Sequence, residues 1–118
     1  MPVIDHKALI DNRVTAIRDF HKATGQARAE LDVSGGVDSA VMLGLLTRAL
    51  GAENVTAVFL GIHSSPNARS RAREAARTFG VKFIDFNGTE LYQQFLSTMV
   101  QTMVEAGLPS GVVPFTTV

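Results

Sequence analysis

The sequence of this 118-residue chain predicts an α/β fold: a mostly parallel sheet with helices on both faces, in three layers. Three observations lead there. Short apolar runs alternate with longer stretches of helical period. The stretches between the runs have the length of helical crossovers, which join parallel strands. A glycine-rich turn, Ser34-Gly35-Gly36-Val37-Asp38-Ser39, links the first strand to the next helix. In such a sheet that turn lies at the carboxyl end of the strand, where ligands bind.

The elements follow in order. Residues 5–24 read as a helix, with Asp5 as N-cap and Gly25 at the C-terminal stop. Ile10, Val14 and Ile17 fall on one face, and Asp11, Arg18, Asp19 and Lys22 fill much of the rest. Residues 28–33 form a short strand that carries Glu30 and Asp32, two acids that are unfavourable in a buried strand unless paired. Residues 39–50 are apolar almost all round, which predicts a helix buried on most sides and ended by Gly51. The continuous apolar run 55–62 reads as a strand covered on both faces.

Ser64-Ser65-Pro66 opens a third helix, since proline suits a first helical turn and serine a cap. Its inner face is Ala68, Ala72, Ala75, Ala76 and Phe79, with Arg69, Arg73 and Arg77 near the outside and Gly80 as the stop. Residues 81–86 form the third strand. Thr89 can cap a last helix in which Leu91, Phe95, Met99 and Met103 recur every fourth residue, widened by Tyr92, Leu96, Val100 and Val104. Gly107 and Pro109 end that helix, and Pro114 keeps the tail irregular.

Composition bounds the function. On a prior of roughly 100–200 residues per domain, residues 1–118 form one domain. Hydrophobic residues are 46% and charged residues 19%, as in a globular chain. Eleven basic residues balance eleven acidic ones, which argues against a nucleic-acid partner held by bulk charge. Without cysteine there is no disulfide framework, thiolate metal site or cysteine nucleophile, and so no glutaminase of the usual kind. No apolar run reaches the ~18 residues of a membrane helix, and the N-terminus has no signal-peptide core. The expectation is a soluble, cytoplasmic chain with no membrane partner.

The turn at 34–39 suits a phosphate. Two glycines let the backbone take positive φ and come close to an anion. The helix behind it offers unpaired N–H groups and a positive dipole end. Ser34 and Ser39 can add hydroxyl donors. Asp38 fits an anion site when a cation lies between it and the phosphates, and Mg2+ is the obvious ion. The string lacks the Gly-Lys-Ser/Thr ending of a Walker loop, with no lysine between Lys22 and Lys82, and it is not a dinucleotide fingerprint.

Ser-Gly-Gly-Val-Asp-Ser resembles the PP-loop of the N-type ATP pyrophosphatases, a superfamily of adenine nucleotide alpha hydrolase-like, Rossmann-like fold. Further stretches are similar to the ammonia-dependent NAD synthetases. These are Ala16-Ile17-Arg18-Asp19-Phe20, Asp38-Ser39-Ala40-Val41, Arg48-Ala49-Leu50-Gly51, Glu53-Asn54-Val55-Thr56-Ala57-Val58, Ser64-Ser65, Phe83-Ile84-Asp85-Phe86 and Glu90-Leu91-Tyr92. The resemblance implies a ligase that adenylates deamido-NAD with ATP, releases pyrophosphate, and lets ammonia displace AMP to give NAD. It implies that Ser34, Gly35, Gly36, Val37, Asp38 and Ser39 bind ATP phosphates, that Asp38 and Ser39 serve catalysis, and that Asp38 is the Mg2+ ligand. Ser64 and Ser65 would lie by the adenine and ribose.

The resemblance covers residues 14–104. Members of the family are longer, so the sheet is expected to be incomplete: the chain is a fragment, or takes its missing strands from another chain, or is a reduced relative. By itself it is expected to be inactive, or nearly so. It also implies a homodimer, for which the helix within residues 1–25 and the stripe of Phe95, Met99 and Met103 are candidate contacts. Other readings are a GMP-synthetase-like enzyme, a sulfur transferase (disfavoured by the lack of cysteine) and a nucleotide-binding module without turnover. Among the other side chains, His63 reads as a hydrogen-bonding neighbour of the nucleotide pocket, His6 and His21 as surface residues. Arg69, Arg71, Arg73 and Arg77 read as a solvated helix face.

Overall fold

Residues 3–108 are described by the computed structural model. Helix α1 (His6–Thr24) leads to strand β1 (Ala29–Asp32), helix α2 (Val37–Leu50), a single 3-10 turn (Ala52–Asn54) and strand β2 (Val55–Gly61). Helix α3 (Pro66–Phe79), strand β3 (Lys82–Asn87) and helix α4 (Thr89–Glu105) follow. The three strands are parallel in the order β1-β2-β3, with Leu31 opposite Ala57 and Ala57 opposite Phe83.

Several boundaries form where local chemistry demands them. The Asp5 carboxylate accepts from the Ala8 N–H at 3.0 Å, and Gly25 closes α1 in the left-handed region. Ser65 caps α3 by accepting from the Ala68 N–H at 3.2 Å, and Pro66 fills its first turn. Gly80 and Gly107, both of positive φ, stop α3 and α4. Pro109 and Pro114 lie outside the described residues.

The core sits on one side of the sheet. Val33, Val55, Ala57 and Phe59 meet Leu43 and Leu46 of α2 and Ala72 and Ala76 of α3. Small residues let the layers close up: a Cβ on Gly44 would sit 3.0 Å from the Phe79 ring. Helix α1 packs along α2, with Val14 buried and Ile17 against the core, and the Arg18 guanidinium donates to the carbonyls of Ala49 and Arg48, both at 3.3 Å. That places a cation at the negative end of α2.

The α/β class and the parallel sheet are as the sequence predicts, and α2 and α3 both pack on the core face. Both crossovers run the same way along the sheet, so their common handedness sets α2 and α3 on the same face. The other face is open. Leu60, Ile84 and Phe86 are each close to half exposed, so β2 is not covered on both faces as its apolar run suggests. Helix α2 is likewise not buried all round: Val37, Val41 and Met42 face outward. It also starts at Val37 rather than Ser39, because Gly36 takes the N-cap position.

Glu30 and Asp32 cause no conflict, since they stand exposed on the open face of an edge strand. Thr89 does not cap α4. It is the first helical residue, and its hydroxyl accepts from the His63 N–H at 3.1 Å, tying α4 to the end of β2. The stripe of α4 is exposed at Leu91, Phe95 and Met99. On α1, Val14 is buried and Ile17 packs on the core, while Leu9 and Phe20 remain exposed, as does the α4 stripe.

The one-sided core makes a testable contrast. Leu43→Ala removes a fully buried side chain and is expected to lower stability by about 2–5 kcal/mol. Leu60→Ala, on the open face, is expected to lower it by less than about 1 kcal/mol. Urea denaturation followed by circular dichroism measures both.

Candidate phosphate-binding site

Strand pairing delivers the glycine-rich turn to the carboxyl end of the sheet. Val33, buried beyond β1, donates its N–H to the Val58 carbonyl at 2.8 Å, and Ser34 follows. Gly35 then turns with φ +87, a conformation that side chains disfavour. Gly36 is different, with φ −91, so only one of the two glycines uses the left-handed region.

The two serines knit the turn together. Oγ of Ser39 accepts from the Ser34 N–H at 3.2 Å, donates to the Gly36 carbonyl at 3.2 Å, and lies 3.3 Å from Oγ of Ser34. Oγ of Ser34 accepts from the Gly36 N–H at 3.1 Å. Both hydroxyls therefore hold the loop's shape. The first helical bond of α2 that reaches back to the cap runs from Ala40 to Gly36. The amides of Val37, Asp38 and Ser39 thus have no carbonyl within the helix and form its electropositive end. The Asp38 side chain is exposed in that first turn, with no hydrogen bond or ion pair among the described residues.

Helix α3 supplies the other wall. A Cβ on Gly35 would run into the Ala68 carbonyl oxygen, so the turn lies directly against the first turn of α3. Nε of Arg71 donates to the Gly35 carbonyl at 2.9 Å. Ser64 is exposed, and Ser65 is engaged as the α3 cap. Beside them His63 has φ +53, its Nε2 is buried without a hydrogen-bond partner, and its ring meets Tyr92 edge-on at 6.3 Å between centroids.

The arginines of α3 are not one solvated face. Arg69 and Arg73 each reach Asp85 of β3 at 3.1 Å and lie over the rings of Phe59 and Phe83. Only Arg77, 3.6 Å from Glu74, is an ordinary surface ion pair. Arg71 alone turns to the loop. A signal for it exists in the sequence: it lies one helical turn beyond Ala68, on the face that meets Gly35.

Residues 9–110 match the NAD synthase family. An NH3-dependent NAD(+) synthetase of Methanopyrus kandleri is 39% identical over 80 residues, which cover 67% of this chain and 28% of that protein. A glutamine-hydrolysing GMP synthase of Aromatoleum aromaticum is 39% identical over 83 residues, covering 69% of this chain and 16% of its own. Among solved structures, the glutamine-dependent NAD+ synthetase of Acinetobacter baumannii, in complex with ADP, superposes with a TM-score of 0.81 at 29% identity. That match takes in 98% of this chain and 21% of the other. The chain therefore spans less than a third of the length of each of these relatives.

The two glycines of the turn are expected to respond differently. Gly35→Ala places a side chain at positive φ and against the Ala68 carbonyl, lowering stability by about 1–2 kcal/mol or more. Gly36→Ala, at negative φ with only the Ser34 hydroxyl nearby, should change it by less than about 1 kcal/mol. Thermal melting of the two variants tests the difference.

Proposed function

The chain belongs to the NAD synthase family, and on that premise we propose that it forms the ATP-phosphate part of an amide-forming ligase that converts deamido-NAD to NAD. The observation that carries this reading is the Ser34–Ser39 turn: a left-handed Gly35, a loop closed by its own serines, and three free amides of α2 facing outward. Such a cradle holds polyphosphate through backbone N–H groups and a helix dipole. Ser34, Gly35, Gly36, Val37, Asp38 and Ser39 bind the phosphates in this reading, and Ser64 and Ser65 border the nucleoside.

The donor set suits magnesium in one manner. Asp38 is a single exposed carboxylate, and no group of three acidic or imidazole side chains could enclose a metal among the described residues. Mg2+ commonly takes one or two carboxylates together with substrate phosphates. Bound to Asp38 and the phosphates, the ion would supply charge neutralisation on the departing pyrophosphate. The chain's own part is to hold the triphosphate by the amides of Val37, Asp38 and Ser39 and to keep the α-phosphorus in line for attack.

The reaction then balances in two steps. A carboxylate oxygen of deamido-NAD bonds to the α-phosphorus as the bond to pyrophosphate breaks. Ammonia attacks the resulting acyl adenylate, AMP leaves, and a proton is lost from nitrogen. The similarity to a GMP synthase supports a second reading, in which the same loop serves adenylation of a different carbonyl. Because the chain spans 28% of the Methanopyrus kandleri relative, it is assigned the phosphate cradle, and the acyl substrate is assigned to the remainder of such a fold.

A homodimer and a cytoplasmic setting complete the reading. The exposed Leu91, Phe95 and Met99 stripe on α4 and the apolar open face of the sheet support self-association. No helix among the described residues is long and apolar enough to cross a membrane. ATP and magnesium are abundant in the cytoplasm.

Calorimetry with ATP and Mg2+ tests the central point. Binding is expected, with the magnesium-dependent part lost in Asp38→Ala and the close approach blocked in Gly36→Val. Unchanged binding in both variants overturns the assignment, as does release of ADP and phosphate rather than AMP and pyrophosphate. Sedimentation is expected to give a dimer that Phe95→Glu dissociates, and a monomeric mass in the parent chain contradicts the dimer.

A further inference from the structure

The peptide that joins Gly35 to Gly36 is gripped at both ends. Its carbonyl accepts from Nε of Arg71 at 2.9 Å, and its N–H donates to Oγ of Ser34 at 3.1 Å. The first grip comes from another element: Arg71 lies 36 residues further along the chain, on α3. Glycine on both sides of a peptide leaves its plane free to turn over. In the reversed orientation the Gly35 oxygen and the Gly36 N–H exchange places. An anion held by amides is repelled by a carbonyl oxygen that turns into its cradle.

We infer that Arg71 is a positioning residue for the triphosphate: its Nε–H holds the Gly35 carbonyl on the α3 side, so that it does not turn over into the anion cradle. Resting on the phosphate reading of the loop, this adds a long-range support that the six-residue motif does not contain. The two remaining contacts agree with it. Ala68 lies against Gly35, so α3 is already as close as the backbone permits. Arg69 and Arg73 bind Asp85 and fix how α3 is turned about its axis, which aims Arg71 at the loop.

Two substitutions separate this role from a simple positive charge beside the phosphates. The amide nitrogen of glutamine stands the same number of bonds from Cα as Nε of arginine, so Arg71→Gln keeps the donor and removes the charge. Arg71→Met keeps the length and removes both. ATP with Mg2+ is titrated into the parent chain and both variants by calorimetry, and the Gly36 amide is followed by 15N–1H NMR without nucleotide. Arg71→Met is expected to weaken ATP about tenfold, the loss of one charge-assisted hydrogen bond. It should also shift the Gly36 resonance. Arg71→Gln is expected to stay near the parent on both measures.

Parent-like affinity and an unmoved Gly36 amide in Arg71→Met overturn this inference and leave the phosphate reading standing. Equal losses in Arg71→Gln and Arg71→Met, with Gly36 unmoved, overturn it in favour of charge alone. Failure of the parent chain to bind ATP overturns the phosphate reading and the inference together.

Discussion

Burial of one face of β2 between α2 and α3 is the contact on which the rest of the structure depends. Val55, Ala57 and Phe59 point into the same layer as Leu43, Ala72 and Ala76, and these side chains are almost wholly removed from water. Because strands β1 to β3 are parallel and the crossovers share one hand, that layer contains both helices. The N-termini of α2 and α3 then emerge at the same end of the sheet. The loop before α2 is brought against the first turn of α3 by packing alone, before any ligand is considered. The site is a by-product of how the core closes.

Legibility in the sequence followed the range of the interaction. Asp5, Gly25, Ser65, Pro66 and Gly80 act on neighbours within a turn, so their residue types announce their roles. The Ser34–Ser39 turn is legible for the same reason, as its serines, glycines and helix N-terminus lie within six residues. The clamp by Arg71 and the pairing of Arg69 and Arg73 with Asp85 are different. They depend on which way α3 faces, and an arginine-rich helix reads as a solvated face until that is known. Thr89 misleads for a related reason, since its hydroxyl serves the distant His63 N–H rather than its own helix.

The open face of the sheet shows the limit of pattern reading from the opposite side. A continuous apolar run implies cover on both faces. Here Leu60, Ile84 and Phe86 are of the type that such cover would suit, yet each is close to half exposed. Glu30 and Asp32 mark where the apolar surface stops, at the edge strand. The Methanopyrus kandleri and Acinetobacter baumannii relatives, of which this chain spans 28% and 21%, are longer chains.

The alanine lining of α3 has a mechanical consequence. With Ala72 and Ala76 almost wholly buried at the centre of its inner face, the helix backbone lies close to the core there, with little room to absorb a displacement. A bulkier residue at Ala72 lifts the helix as a rigid rod, and the lift carries Ala68 and Arg71 away from Gly35. The Ser34–Ser39 loop is thus adjustable from beneath the helix. Variation at a buried position that touches no ligand can loosen or tighten the cradle, as a wedge under a beam changes what rests on its end.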